Sequence, residues 1–203
     1  MLWFLLASCV PIPVIAPPMR LGAVIGPTTP VPGNVSGPPA ELNLEAGIAP
    51  LGVFPDLRER KWDPVVGGVL SLPVLNDAPL WRLGGYGQVR YRAWQYPVRG
   101  QRFLNAGPDA AIVISAPLET GGPLSVGLKL GGSFEYTGWG AGPSIGVGTD
   151  GGFLGFAWGE WSIGLQSSVL VRTTGNGLAT GWMLGLVGNS PARAGIALVP
   201  LPL

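Results

Sequence analysis

From Leu124 to Thr137 the chain alternates with a period of two. Leu124, Val126, Leu128, Leu130, Gly132, Phe134 and Tyr136 share one face. Ser125, Gly127, Lys129, Gly131, Ser133, Glu135 and Thr137 share the other. Successive side chains on a strand point to opposite sides, whereas a helix would scatter these two sets around its axis. The stretch therefore predicts a β-strand, and one longer than the usual five or six residues. A strand with one greasy and one polar face suits a transmembrane barrel wall, with lipid on one side and a polar lumen on the other. It also suits a soluble sheet with one wet face.

The same alternation recurs along the chain. From Glu41, Leu42, Leu44, Ala46 and Ile48 oppose Glu41, Asn43, Glu45 and Gly47. Pro64 to Leu72 reads as a strand. Trp81 to Trp94 reads as a second long one, with Trp81, Leu83, Val89 and Tyr91 against Arg82, Tyr86, Gln88, Arg90, Arg92 and Trp94. Arginines on one face of a strand cannot sit in lipid or in a dry core, so they face water, a lumen or carboxylates. Ala110 to Leu118, Trp139 to Val147, Phe153 to Trp158, Trp161 to Arg172, Leu178 to Val187 and Arg193 to Val199 complete about ten candidate strands. Gly-rich turns join many of them, and Gly159-Glu160 is expected to be a two-residue hairpin turn. Asp56 to Asp63 and Gln95 to Pro108 read as polar loops. No amphipathic helix of normal length is present, so the expected fold is all-β: an antiparallel up-and-down meander closing into a small membrane β-barrel of about 8–10 strands.

Composition narrows the picture. Only 11% of the 203 residues are charged, while 47% are hydrophobic, and there are 34 Gly and 22 Pro. Gly-rich, apolar and charge-poor composition points to β-structure in or near a membrane, since a disordered chain needs low hydrophobicity and high charge. The net charge of +1 comes without a Lys/Arg run, so no nucleic-acid partner is expected. The absence of His removes the commonest general base and metal ligand, and a single Cys excludes an internal disulfide or a Cys-rich zinc site. No catalytic residues, cofactor or metal site are expected. Glu135 and Glu160 read as a lumen charge and a turn residue, not a carboxylate pair. The frequent Gly-x-Gly patterns do not open a helix after a strand, as a nucleotide site requires.

The first forty residues differ from the rest. Residues 1–9 end in Leu6-Ala7-Ser8-Cys9, which resembles the lipobox of bacterial lipoproteins. The resemblance implies cleavage before Cys9 and lipidation of Cys9; the alternative is an apolar N-terminus with an incidental thiol. Residues 10–40 carry nine prolines, among them Pro11, Pro13, Pro17, Pro18, Pro27 and Pro30, and read as an extended leader or tether. Only Arg20 to Gly26 could be a strand there. The barrel domain is then 41–203.

Taken together, Trp81 to Val187 resembles a small bacterial outer-membrane β-barrel. The alternating strands and Gly-rich turns carry the likeness, with aromatics near the expected strand ends: Trp81, Tyr136, Trp139, Trp158, Trp161 and Trp182. The resemblance implies that these aromatics form an interfacial girdle against membrane lipid. It implies a lumen lined by Arg82, Gln88, Arg90, Arg92, Lys129, Glu135, Gln166 and Arg172, in which basic groups outnumber acidic ones. Barrels of the class usually finish on an aromatic residue; this chain finishes Leu198-Val199-Pro200-Leu201-Pro202-Leu203. The implied protein is a non-enzymatic barrel of a Gram-negative outer membrane with a structural or interaction role. The alternatives are a lipid-anchored β-domain binding a hydrophobic ligand or protein partner, and a small anion-selective channel.

Overall fold

The computed structural model describes residues 9–30, 40–54, 61–74, 81–119, 122–148, 151–174 and 177–200. These residues are nearly all strand: β1 (Cys9–Ala16), β2 (Met19–Pro30), β3 (Ala40–Ile48), β4 (Trp62–Val74), β5 (Arg82–Tyr91), β6 (Trp94–Arg99), β7 (Arg102–Pro117), β8 (Ser125–Gly148), β9 (Gly151–Thr174), β10 (Gly177–Asn189) and β11 (Ala192–Pro200). A 3-10 turn, Pro50–Val53, follows β3. Every pairing is antiparallel. Hydrogen bonds run from β2 through β3, β4, β5, β7, β8, β9 and β10, and β10 pairs with β2 to close a ring of eight strands.

Three strands stand outside the ring. β8 and β9 are each 24 residues long, and only part of their length belongs to it. Beyond Trp161 they continue as a two-stranded arm. β11 joins the arm through Ala192–Trp158 to Leu198–Gly152, and β1 pairs with β11 from Cys9–Pro200 to Ala16–Arg193. β6 folds back on the first residues of β7. The ring therefore has a turn end, where β9 connects to β10, and a flared end, where this sheet projects.

Several elements differ from the sequence expectation. The leader at 10–40 contains two strands. Proline is tolerated in β1 because β1 is an edge. Pro11 and Pro13 have the same parity, so the N–H groups missing from β1 all fall on one side of the strand, a loss that an edge tolerates. In β2 the pairing with β10 skips Gly26 and Pro27, where proline has no N–H to give. The expected loop at Gln95–Pro108 is the β6–β7 hairpin, turning at Gly100 with φ 63°. Gly159-Glu160 is not a hairpin turn. Gly159 takes φ 110° inside β9, and the register against β8 runs through it unbroken, so the positive φ bends one long strand instead of reversing it. Of the expected loop Asp56–Asp63, residues 55–60 lie outside the described residues, and Trp62 and Asp63 open β4.

The polarity of the ring is inside-out. On each strand one outward apolar side chain is exposed: Leu21, Leu44, Val66, Leu83, Ile112, Leu128, Leu165 and Leu184. The buried set holds Arg20, Glu41, Glu45, Asp63, Arg82, Arg90, Asp109, Lys129, Glu135 and Arg172. Between these charges lies a small apolar layer of Val24, Val65, Val69, Tyr86, Leu170 and Met183. The outward band on β8 runs from Val126 to Tyr136. At about 3.4 Å per residue and a tilt of about 45° that is roughly 24 Å of height, close to the apolar band of about 25 Å on membrane-spanning barrels.

Candidate functional site

The interior is built by parity. On β5 the residues Arg82, Tyr86, Gln88 and Arg90 alternate with exposed Leu83 and Val89, and on β8 Ser125, Lys129 and Glu135 alternate with Val126, Leu128 and Phe134. A one-residue slip of register would move every charge to the apolar face, so the enclosed charges themselves specify the pairing.

Near the flared end the centre is Glu135. Arg20 Nη1 donates to its Oε1 at 3.1 Å and Arg90 Nη1 at 2.8 Å. Ser162 Oγ donates to Oε2 at 2.7 Å and Asn189 Nδ2 at 3.2 Å. Arg90 also pairs with Asp63. Four donors on one buried carboxylate satisfy it fully, and that is what lets a charge persist out of bulk water. At the rim, Arg92 Nη1 meets Glu160 at 3.0 Å. Toward the turn end Arg172 grips Glu41 with both Nη atoms, one bond being 2.8 Å, and Lys129 pairs with Glu45. Arg82 donates to Ser115 and to the Pro123 carbonyl at 3.1 Å, and has no carboxylate partner among the described residues. Between the two clusters Gln166 Nε2 donates to Asp109 at 3.3 and 3.4 Å.

The structure brings Arg82, Gln88, Arg90, Lys129, Glu135, Gln166 and Arg172 into this interior. Arg92 sits just past the end of β5, half-buried at the rim. The expected excess of basic groups is corrected. Among the described residues the buried cations are Arg20, Arg82, Arg90, Lys129 and Arg172, and the buried acids are Glu41, Glu45, Asp63, Asp109 and Glu135, five against five. Glu41, Glu45, Asp63 and Asp109, with the cation Arg20, are the charged residues the sequence reading did not place inside; Glu135 it did. Glu41 and Glu45 share the face of Asn43, which is a legible signal; Arg20 was concealed by the surrounding prolines, and Asp63 and Asp109 by runs that resemble loops.

The aromatics divide. Tyr136 and Trp161 face outward and lie 5.5 Å apart, near Trp62–Tyr91 at 4.5 Å and Trp94–Phe134 at 6.4 Å, all toward the flared end. Trp81, at the start of β5, and Trp182 are exposed on the outward face. Trp139 and Trp158 do not belong to that face. The unbroken β8–β9 register puts both on the side that continues the interior wall, and Trp139 lines the mouth with Glu160. Trp62 is an outward aromatic that the sequence reading left in a loop. Tyr91 keeps the apolar face expected for it, whereas Trp94, expected on the polar face at the end of a Trp81–Trp94 strand, opens β6 instead and is exposed, because β5 ends at Tyr91.

Little space is left inside. A cavity bounded by Asp63, Arg90, Glu135, Ser162 and Asn189 offers about 30 Å³, room for about two waters. A second, beside Glu45, Ser115, Lys129 and Arg172, offers about 10 Å³. Among the described residues no cluster of His, Cys, Asp and Glu could hold a metal, and no helix is long and apolar enough to cross a membrane. No family model, curated protein or solved structure matches the chain.

Proposed function

We propose that this chain is a non-enzymatic β-barrel of a bacterial outer membrane, with a structural or interaction role. The observation that carries the reading is the inversion of polarity. Each of the eight ring strands turns large apolar side chains outward into exposure, and ten charged groups are enclosed. In water this arrangement leaves much apolar surface uncovered, far beyond the patches that monomers normally show. In a bilayer each outward Leu or Ile gains about 1.5–3 kcal/mol on burial, and the backbone groups of a closed ring have no open edge to satisfy. The outward aromatic cluster at the flared end suits one membrane–water interface.

The alternative of a small anion channel is less favoured by the same geometry. Among the described residues the interior charges balance, five against five, and the cavities of about 30 and 10 Å³ inside and about 60 Å³ at the mouth are small for a hydrated anion. Lipidation at Cys9 is compatible with the barrel, because Cys9 is the first residue of β1 and cleavage before it removes no described strand. No tether then separates anchor from sheet: the lipid would attach where β1 begins.

The test is electrophoresis of detergent-extracted protein in SDS, unboiled against boiled. A closed membrane barrel is expected to migrate differently before and after boiling. Full recovery without detergent as a monodisperse monomer, with no shift on boiling, overturns the reading.

A further inference from the structure

The wall is interrupted on one side of the flared end. β10 pairs with β9 as far as Asn189–Ser162, and β11 takes up β9 only at Ala192–Trp158. Gly159, Glu160 and Trp161 thus lack a partner strand on that side, although β8 pairs with all three on the other. Outside the break lies a groove of about 500 Å³, within the range of about 300–1,000 Å³ usual for small-ligand sites.

The lining has two characters. Met19, Leu21 and Ile163 are apolar and belong to the outward face. Ser162 and Asn189 belong to the interior network, and they line the cavity beside Glu135 as well as the groove. The two side chains therefore form the partition between outside and inside. The rim is pinned by Ser190, whose N–H donates to the Met19 carbonyl at 2.8 Å and whose Oγ accepts from the Met19 N–H at 3.2 Å.

The interior ion pairs at this end balance one another, while the groove itself carries one further charge. Arg20, Arg90 and Arg92 are matched by Asp63, Glu135 and Glu160, three against three. Arg193, also lining the groove, adds one exposed guanidinium with no ion-pair partner among the described residues. An apolar groove with a single uncompensated cation at its margin complements a chain-like apolar body with a single anionic head.

We infer that the groove binds one single-chain amphiphile with a carboxylate head, a fatty-acid type ligand. The chain lies on Met19, Leu21 and Ile163, and the carboxylate pairs with Arg193. The inference rests on the membrane reading above, because the groove opens on the face assigned there to lipid. The experiment uses stearic acid bearing a nitroxide, mixed with the full chain in neutral detergent, with the methyl ester of the same probe as comparator. Electron paramagnetic resonance reads the immobilised fraction. The acid is expected to bind about tenfold more tightly than the ester, Arg193→Ala to remove that difference, and Leu21→Trp to lower binding of both probes by filling the groove. Circular dichroism shows that each variant keeps its sheet. Equal binding of acid and ester, an unchanged preference in Arg193→Ala, or an unchanged immobilised fraction in Leu21→Trp overturns the inference. So does displacement of the probe by a two-chain phosphatidylglycerol in preference to unlabelled stearic acid. Failure of the membrane reading has a separate signature: detergent-free recovery with no shift on boiling, measured on the same preparation.

Discussion

The ring and the flared arm are made from the same two strands, yet they treat the same face in opposite ways. Within the ring the inward face of β8 and β9 carries Lys129, Glu135, Ser162, Gln166 and Arg172. In the arm that face carries Ile145, Leu154 and Phe156, joined in register by Ile196 of β11 and by Ile15 of β1, all exposed. The opposite face of the arm is mostly small, with Gly155, Ala157, Gly195 and Ala197. The difference teaches that enclosure, not strand parity, decides where charge is tolerated. Inside the ring charged groups meet partners projecting from across the enclosure: Arg172 of β9 meets Glu41 of β3, and Lys129 of β8 meets Glu45 of the same β3. The arm has no opposing wall, so a charge there could find no such partner, and the sequence places almost none.

The comparison breaks first at Glu135. Glu135→Leu leaves the buried guanidinium groups of Arg20 and Arg90 without their shared carboxylate. The expected loss is about 3–5 kcal/mol of stability, read by urea unfolding in lipid vesicles, and a change near zero would mean that the network does not hold the ring together. Leu130→Lys tests the outward face of the ring. It is expected to cost about 2–4 kcal/mol in vesicles, and equal cost in water and in lipid would contradict the lipid-facing assignment. Gly159→Ala tests the joint between the two regions. An alanine at φ 110° is strained by about 1–3 kcal/mol, and hydrogen exchange should report loosening of the arm before the ring. The smallest effect belongs to the arm itself. Leu154→Ser is expected to change ring stability by less than about 0.5 kcal/mol, and a larger loss would show the arm to be part of the core.

Much of the ring was legible because a two-residue period survives any context. β3, β5, β10 and the first half of β8 carry uninterrupted alternation, and their inward residues follow from it. The arm was less legible, because glycine and proline obscure parity. Trp139–Val147 and Phe153–Trp158 read as strands, but as separate ones; pairing along their full length makes them continuations of β8 and β9. β1 and β2 were harder still, since their prolines argue locally against sheet while their pairing with β11, β10 and β3 decides otherwise. The interior carboxylates come from β3, β4, β7 and β8, and β2 adds only the cation Arg20. Charge balance is a property of the closed ring, and no window of sequence contains it.

The prolines of β1 carry one more consequence. The arm ends in the edge strand β1, two of whose positions, Pro11 and Pro13, offer no N–H to a visiting chain. A neighbouring chain pairing along this margin would find two donors missing. The far margin, β6, is guarded in another way, by the register shift at Pro97 and by Arg99 at its tip. Both free borders of the sheet thus carry a feature that opposes strand-to-strand pairing, and contacts there fall to side chains.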